Sequence, residues 1–246
     1  MTIRSLGSVC LLTIVATASA ADPTPTGTPL PVAVFAKDAR ILFQGDSITD
    51  GNRGRNTDPN HILGHGYAFL IAAKYGAAVP ERNLTFLNRG VSGNTVADLA
   101  KRWPKDTLEL KPDVLSILIG VNDHGRKVSV EEYETGYDKL LADARTANPT
   151  VKFVLGEPFG LPSGARKAGW DEWNAGLNEK RDAVTRLAKK YDAAVARFQV
   201  AFDRAIEKAP ADHWIWDGVH PTYSGHQIMA DEWVRAVREK WPTAGK

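Results

Sequence analysis

Arg40-Ile41-Leu42-Phe43-Gln44-Gly45-Asp46-Ser47-Ile48-Thr49-Asp50 is the stretch on which the reading of this chain turns. Its first half is an apolar run of strand length, and its second half is small, acidic and hydroxyl-bearing. A buried strand that ends in such a loop points to a chemically active edge near the start of the fold. Serine is a poor nucleophile at its own pKa, so Ser47 would need a base, an acid to orient that base, and donors for a developing oxyanion. Taken alone, Ser47 could equally be a helix N-cap, a common role for serine where a strand turns into a helix.

The rest of the chain repeats the alternation of strand and helix. Further strand-like runs are Thr85–Asn88, Val114–Ile119, Lys152–Gly156 and Ala193–Arg197. They are nearly continuous in apolar residues, as parallel strands covered on both faces should be. Helical patterns fall between them at Gly66–Tyr75, at Thr95–Trp103 with Pro104 as its stop, and from Val130 to about Thr146. Another carries Trp173, Leu177, Val184, Leu187 and Tyr191 on one face, and a last helix covers Gly225–Lys240. No internal repeat or second boundary interrupts the pattern. The sequence therefore predicts a doubly wound, flavodoxin-like, three-layer α/β fold around a central, mostly parallel sheet of five strands.

In such a sheet the site lies beyond the carboxyl ends of the strands, where strand order reverses. The first strand is followed by Gly45-Asp46-Ser47, the second by Arg89-Gly90-Val91-Ser92-Gly93-Asn94 and the third by Gly120-Val121-Asn122-Asp123. All three loops should meet on one edge. The base must come from elsewhere, and Trp216-Asp217-Gly218-Val219-His220-Pro221 precedes the last helix. In a turn, the spacing of Asp217 and His220 lets the carboxylate accept from one imidazole nitrogen while the other faces the serine.

Composition sets the outer limits. The chain has 246 residues, 43% of them hydrophobic, enough for one well-packed domain. Lys and Arg total 31 against 29 Asp and Glu, a balance that offers no field for nucleic acid or an anionic membrane. Residues 1–20 read as a secretory signal: Arg4, the apolar run Leu11–Ala16, and Ala18-Ser19-Ala20 before a cleavage point at Ala20/Ala21. This predicts a secreted or periplasmic protein, with no membrane association once matured. Cys10 is the sole cysteine and lies in that leader, so a chain beginning at Ala21 has no disulfide and no thiol chemistry. Residues 21–36 form a Pro/Thr-rich lead, 37–241 the single domain and 242–246 a short tail.

Gly45-Asp46-Ser47, Gly93, Gly120-x-Asn122-Asp123 and Asp217-x-x-His220 resemble the four blocks of the SGNH (GDSL-type) hydrolases, in the family's order, over nearly all of residues 40–240. The fuller stretches around these blocks resemble the branch that contains bacterial acetylxylan and acetyl-xylooligosaccharide esterases. By this resemblance Ser47 is the nucleophile, His220 the general base and acid, and Asp217 its orienter. The backbone N–H groups of Ser47 and Gly93 and the side chain of Asn122 form the oxyanion hole. The resemblance implies an acetylesterase that acts on acetylated oligo- or polysaccharide through an acetyl-serine, without metal or other cofactor; homo-oligomers occur among fold relatives.

Physical chemistry fits these roles. A glycine at 93 lets backbone approach the carbonyl closely, and an amide at 122 is a donor whose state does not change with pH. Gly90 reads as a turn residue, and Asp46, Asp50 and Asp123 as supports behind the site. Among the seven tryptophans, Trp173 fits the helical core stripe. Trp214 and Trp216, beside His220, are candidates for sugar contact together with His65 in the long polar loop 51–65. His213, Asp217, His220 and His226 lack the spacing of a zinc module. A lysophospholipase or thioesterase with a longer acyl channel, and a non-catalytic carbohydrate-binding protein, are the competing functional classes.

Overall fold

The structure is a computed structural model and describes residues 32–242. The expected leader with its cleavage point, most of the Pro/Thr-rich lead and residues 243–246 lie outside the described residues.

Five strands form one sheet: β1 (Arg40–Gly45), β2 (Thr85–Asn88), β3 (Val114–Leu118), β4 (Lys152–Gly156) and β5 (Ala194–Ala196). Their order is β2-β1-β3-β4-β5. Every neighbouring pair is parallel, so the sheet is wholly rather than mostly parallel. Strand order reverses between β1 and β3, and the loops that leave these two strands open onto the crevice that the reversal creates.

Alternate side chains of each strand point into opposite layers. Ile41 and Phe43 of β1, Val114 and Leu118 of β3 and Val154 of β4 pack with α2 (Tyr67–Ala78), α7 (Phe198–Ala205) and α9 (Tyr223–Lys240). Leu42, Leu115, Ile117, Phe153 and Leu155 face α3 (Val96–Trp103), α5 (Val130–Ala147) and α6 (Trp170–Tyr191). Short helices α1 (Ser47–Asp50), α4 (Val121–Gly125) and α8 (Ala211–Trp214) sit in the connections. One buried polar pair braces each layer: the Trp233 indole N–H donates to Ser116 Oγ at 2.9 Å in the first, and Tyr133 donates to the Ile119 carbonyl at 3.0 Å in the second.

Two features differ from expectation, and one helix leads into a further turn. The core begins before residue 37, because Val32, Val34 and Phe35 are all buried. Phe35 meets the rings of Tyr75 and Phe86 edge-on at 4.9 and 5.8 Å, so this part of the lead is an anchor. The α-helix ends at Trp103 with Pro104 as its cap, as expected. The chain continues through a wider turn over Pro104–Leu108, with the Glu109 N–H bonding the Pro104 carbonyl five residues back at 2.9 Å. Pro104 stands in the first turn of this segment, where a missing N–H is tolerated. Finally, α7 was not anticipated. Phe198 and Phe202, one turn apart, bury this short helix against Phe159.

Candidate active site

Ser47 is the first residue of α1, immediately past the carboxyl end of β1. The helix cap is supplied by Asp46, whose carboxylate accepts from the Ile48 N–H at 3.0 Å. The capping role open to Ser47 from sequence is thus taken by its neighbour, and the serine hydroxyl points elsewhere: Oγ lies 2.8 Å from His220 Nε2. The opposite ring nitrogen, Nδ1, is 2.6 Å from Asp217 Oδ2. Asp217 Oδ1 accepts from the backbone N–H groups of Val219 and His220 at 3.0 and 2.8 Å. Burial alone would raise the Asp217 carboxyl, but the hydrogen bonds from His220 and Val219 outweigh it and hold the group below the ordinary carboxylate range. An ionised Asp217 requires the proton on Nδ1, which leaves Nε2 free to accept from the serine.

The turn that carries this pair is braced. Ile215 and Pro221 form an antiparallel bridge, and the Trp216 N–H donates to the His220 carbonyl at 3.2 Å. Below it, Leu161 N–H donates to the Gly218 carbonyl at 3.1 Å, and the buried Ser163 hydroxyl donates to the Ile215 carbonyl.

Asn122 lies in α4, after β3, half-buried. Its side-chain NH₂ reaches Asp46 Oδ2 at 3.3 Å and the Asn94 carbonyl at 3.1 Å, which brings it against the residue before Ser47 and the residue after Gly93. Gly93 has φ +79°, and only Arg126 Nη2, at 3.9 Å, comes near the position of a Cβ. What demands glycine here is the left-handed backbone rather than crowding. Gly90 shows the reverse: a Cβ there would stand 2.3 Å from the Asp50 nitrogen, so it serves close packing of two loops and not a turn.

The supporting carboxylates act from behind. Asp123 Oδ1 caps α3 through the Val96 N–H at 3.0 Å. Asp50 accepts from the Ser92 N–H and hydroxyl, each at 3.1 Å, and pairs with Arg55 at 2.7 Å. Loop 51–65 is closed on itself by bonds from the His65 N–H to Gly51 and from the Gly54 N–H to His61, at 2.9 and 2.7 Å. Asn88, which was not singled out in sequence, staples this edge. Its amide donates to the carbonyls of Thr49 and Leu63 at 2.6 and 2.9 Å, and its oxygen accepts from the Gly90 N–H at 2.9 Å. A polar residue ending an apolar strand was the available signal.

The aromatic candidates divide. Trp216 is 63% exposed, next to Asp217. Trp214 is half-buried against the core, with its indole N–H donating to the Ala209 carbonyl at 3.1 Å. Trp173 joins the core only at its margin, where its ring meets His124 at 5.2 Å and Arg166 lies over it at 5.0 Å. His65 is exposed.

Two buried groups near the site give opposite pH dependences. Burial pushes Asp46 up to about 7, against the Ile48 N–H and the attraction of His220. Burial also pushes His226 down to about 4, with His65 and His220 adding to the effect. In the folded state Asp46 holds its proton through a range where the unfolded chain has lost it, so its stabilisation is present below about pH 4 and is lost as pH rises toward 7. For His226 the unfolded ring takes up a proton near pH 6.5 while the folded ring resists until about 4, so stability is lost as pH falls through that window, by about 3 kcal/mol in all. The two slopes oppose each other in the wild type. His226→Gln keeps an acceptor for the Tyr67 N–H that His226 Nδ1 now takes at 3.3 Å. It should gain on the order of 3 kcal/mol relative to wild type between pH 7 and pH 4 in urea unfolding. A constant difference between the two proteins across that range would show that His226 is not held neutral.

The arrangement can therefore move a proton from a serine hydroxyl to an imidazole backed by an ionised carboxylate. Comparison with known proteins agrees with the fold and the chemistry. The sequence profile of the GDSL-like lipase/acylhydrolase family matches residues 43–228. An acetylxylan esterase from Geobacillus stearothermophilus is 31% identical over 215 residues, covering 82% of this chain and 95% of its own. A solved structure of an acetylxylan esterase from that organism aligns with a TM-score of 0.74 at 29% identity, over 82% of this chain and 95% of its own. A GDSL-like protein from Parabacteroides merdae aligns with a TM-score of 0.78 at 40% identity, over 82% of this chain and 96% of its own. LAE5, an alpha/beta hydrolase enzyme from the metagenome of Lake Arreo in Spain, aligns with a TM-score of 0.75 at 34% identity, over 83% and 97% of the two chains.

Proposed function

Since the chain belongs to the GDSL-like lipase/acylhydrolase family and is a carboxylic ester hydrolase, we propose that it is a secreted acetylesterase that removes O-acetyl groups from carbohydrate, with xylan or xylooligosaccharide as the substrate, through an acetyl-serine at Ser47. The single observation that supports this mechanism best is the hydrogen-bonded line from Ser47 Oγ through His220 to Asp217, at 2.8 and 2.6 Å. Secretion rests on the leader pattern of residues 1–20, and among the described residues no helix is long and apolar enough to cross a membrane.

In the first half-reaction His220 Nε2 takes the Ser47 proton as Oγ attacks the acetyl carbonyl. The new imidazolium is stabilised by Asp217 and returns its proton to the departing sugar oxygen. Water, deprotonated by the same nitrogen, then attacks the acetyl-serine, and the imidazolium passes that proton to Ser47 Oγ as the ester bond breaks and acetate is released. In both halves negative charge develops on the former carbonyl oxygen, where the N–H groups of Ser47 and Gly93 and the Asn122 amide would receive it. The Asn122 NH₂ has two hydrogens and two present partners, Asp46 and the Asn94 carbonyl. The contact to Asp46 is the longer, so it is the one to yield to an oxyanion. Asn122→Ala should lower kcat about 100- to 1,000-fold. A rise in KM with kcat preserved would remove Asn122 from this role.

The functional reading is tested by acetate release from acetylated xylooligosaccharides, compared with acetylated pectin fragments and with fatty-acid release from lysophospholipid. Preference for the xylooligosaccharides supports the proposal. Preference for pectin fragments changes the sugar, and preference for long acyl chains replaces the proposal with a lipid-directed one.

A further inference from the structure

Arg126 connects the two loops that carry the proposed oxyanion donors. It follows α4, and its backbone N–H donates to the Asn122 carbonyl at 2.9 Å. Its guanidinium Nη2 donates to the Gly93 carbonyl at 2.7 Å, on the loop after β2. Its other arm, Nη1, reaches Asp98 Oδ2 at 3.2 Å. Asp98 is itself immobilised at the start of α3: its carboxylate accepts from the Thr95 N–H and hydroxyl at 3.2 and 2.9 Å, and from Lys101 at 2.8 Å. Those bonds, Lys101 foremost, hold the Asp98 carboxyl down at about 2, so it stays anionic at any working pH.

Gly93 needs this restraint. With φ +79° and no side chain, its backbone turns more freely than that of a residue with a Cβ, and apart from Arg126 Nη2 no atom stands within 4 Å of its Cβ position. Its N–H lies in the peptide that joins Ser92 to Gly93 and its carbonyl in the next peptide, and the two planes swivel about the Gly93 Cα, so a held carbonyl limits the rotation by which the N–H could turn away. Oxyanion donors act only if they are already aimed when charge develops. A planar guanidinium bound to the Gly93 carbonyl on one prong and to an anchored carboxylate on the other is suited to hold that peptide.

We propose that Arg126 is a positioning residue for ester hydrolysis: by holding the Gly93 carbonyl it fixes the backbone torsions at Gly93 that aim the Gly93 N–H into the oxyanion site. This rests on the assignment of Gly93 as an oxyanion donor. A stabilising role for Arg126 would look different. Its side chain is 58% exposed, and exposed ion pairs contribute little to folding.

The test is Arg126→Ala, with Arg126→Lys and Ser47→Ala alongside, assayed on 4-nitrophenyl acetate with thermal melts of each protein. Arg126→Ala should lower kcat about tenfold, a fraction of what losing a whole donor costs, with KM and Tm close to wild type. Added guanidinium should restore part of the rate, and Arg126→Lys, which lacks the fork, should fall between the two. An unchanged kcat, a loss confined to KM, or a rate loss that follows a lowered Tm and resists guanidinium would overturn the proposal. A failure of the proposed serine-esterase function itself is distinguishable, because Ser47→Ala would then still turn over ester.

Discussion

Replacing Ser47 with alanine is expected to reduce ester turnover by on the order of 10⁴- to 10⁶-fold while leaving the fold intact. The hydroxyl makes one side-chain contact, to His220, and the cap of α1 is held by Asp46. Nothing structural therefore depends on Oγ, and Ser47→Ala should melt within a degree or two of wild type. The assay is release of 4-nitrophenol from the acetate ester, paired with a circular-dichroism melt. With native protein, brief acid quenching during turnover should also leave an acetyl mass on the peptide that contains Ser47, and the variant should show none. A folded Ser47→Ala protein that turned over at an appreciable fraction of the native rate would end the proposal that Ser47 is the nucleophile.

The second large effect is expected at Asp217. Asparagine has the same shape, and its oxygen can keep the two backbone bonds from Val219 and His220 that Oδ1 now accepts. Its NH₂ would then face His220 Nδ1. Two donors cannot share that contact, so the ring must give up the proton on Nδ1 and carry it on Nε2. In that tautomer Nε2 has no lone pair for the Ser47 hydroxyl. Asp217→Asn should therefore lose about 10⁴-fold in kcat with little change in KM, through the wrong tautomer and not through displacement. The nitrogen-15 shifts of the imidazole would report the change directly. A variant with near-native kcat would show that Asp217 does not orient the base.

How much of this was legible before folding varies from feature to feature. Val114–Leu118 and Lys152–Gly156 announce themselves because strands covered on both faces carry nearly unbroken apolar runs. Residues 198–205 did not, since one turn of two phenylalanines is too short to separate a helix from a loop by period. The α-helical stop at Pro104 was legible, but the wide turn that follows it was not, since what a chain does after a proline depends on what packs around it. At the site, the serine, imidazole and carboxylate could be picked out because few residue types do that chemistry. The two glycines were harder. That each was a glycine was visible, but the reason was not: Gly93 needs a left-handed backbone and Gly90 needs room for Asp50. The same limit applies to Trp214, whose indole is directed inward to a carbonyl five residues back.

Local chemistry is written in the order of residues, and so the periodicity, the family and the reactive groups of this protein could be determined from the chain alone. Partnership is not written there. That Asn122 bonds the Asn94 carbonyl, that Asn88 ties three loops together and that Arg126 grips Gly93 are outcomes of strand order, because parallel crossovers bring residues tens of positions apart to one sheet edge. Any exposed arginine or buried asparagine has many carbonyls to choose from, and only the packed sheet reduces that choice to one.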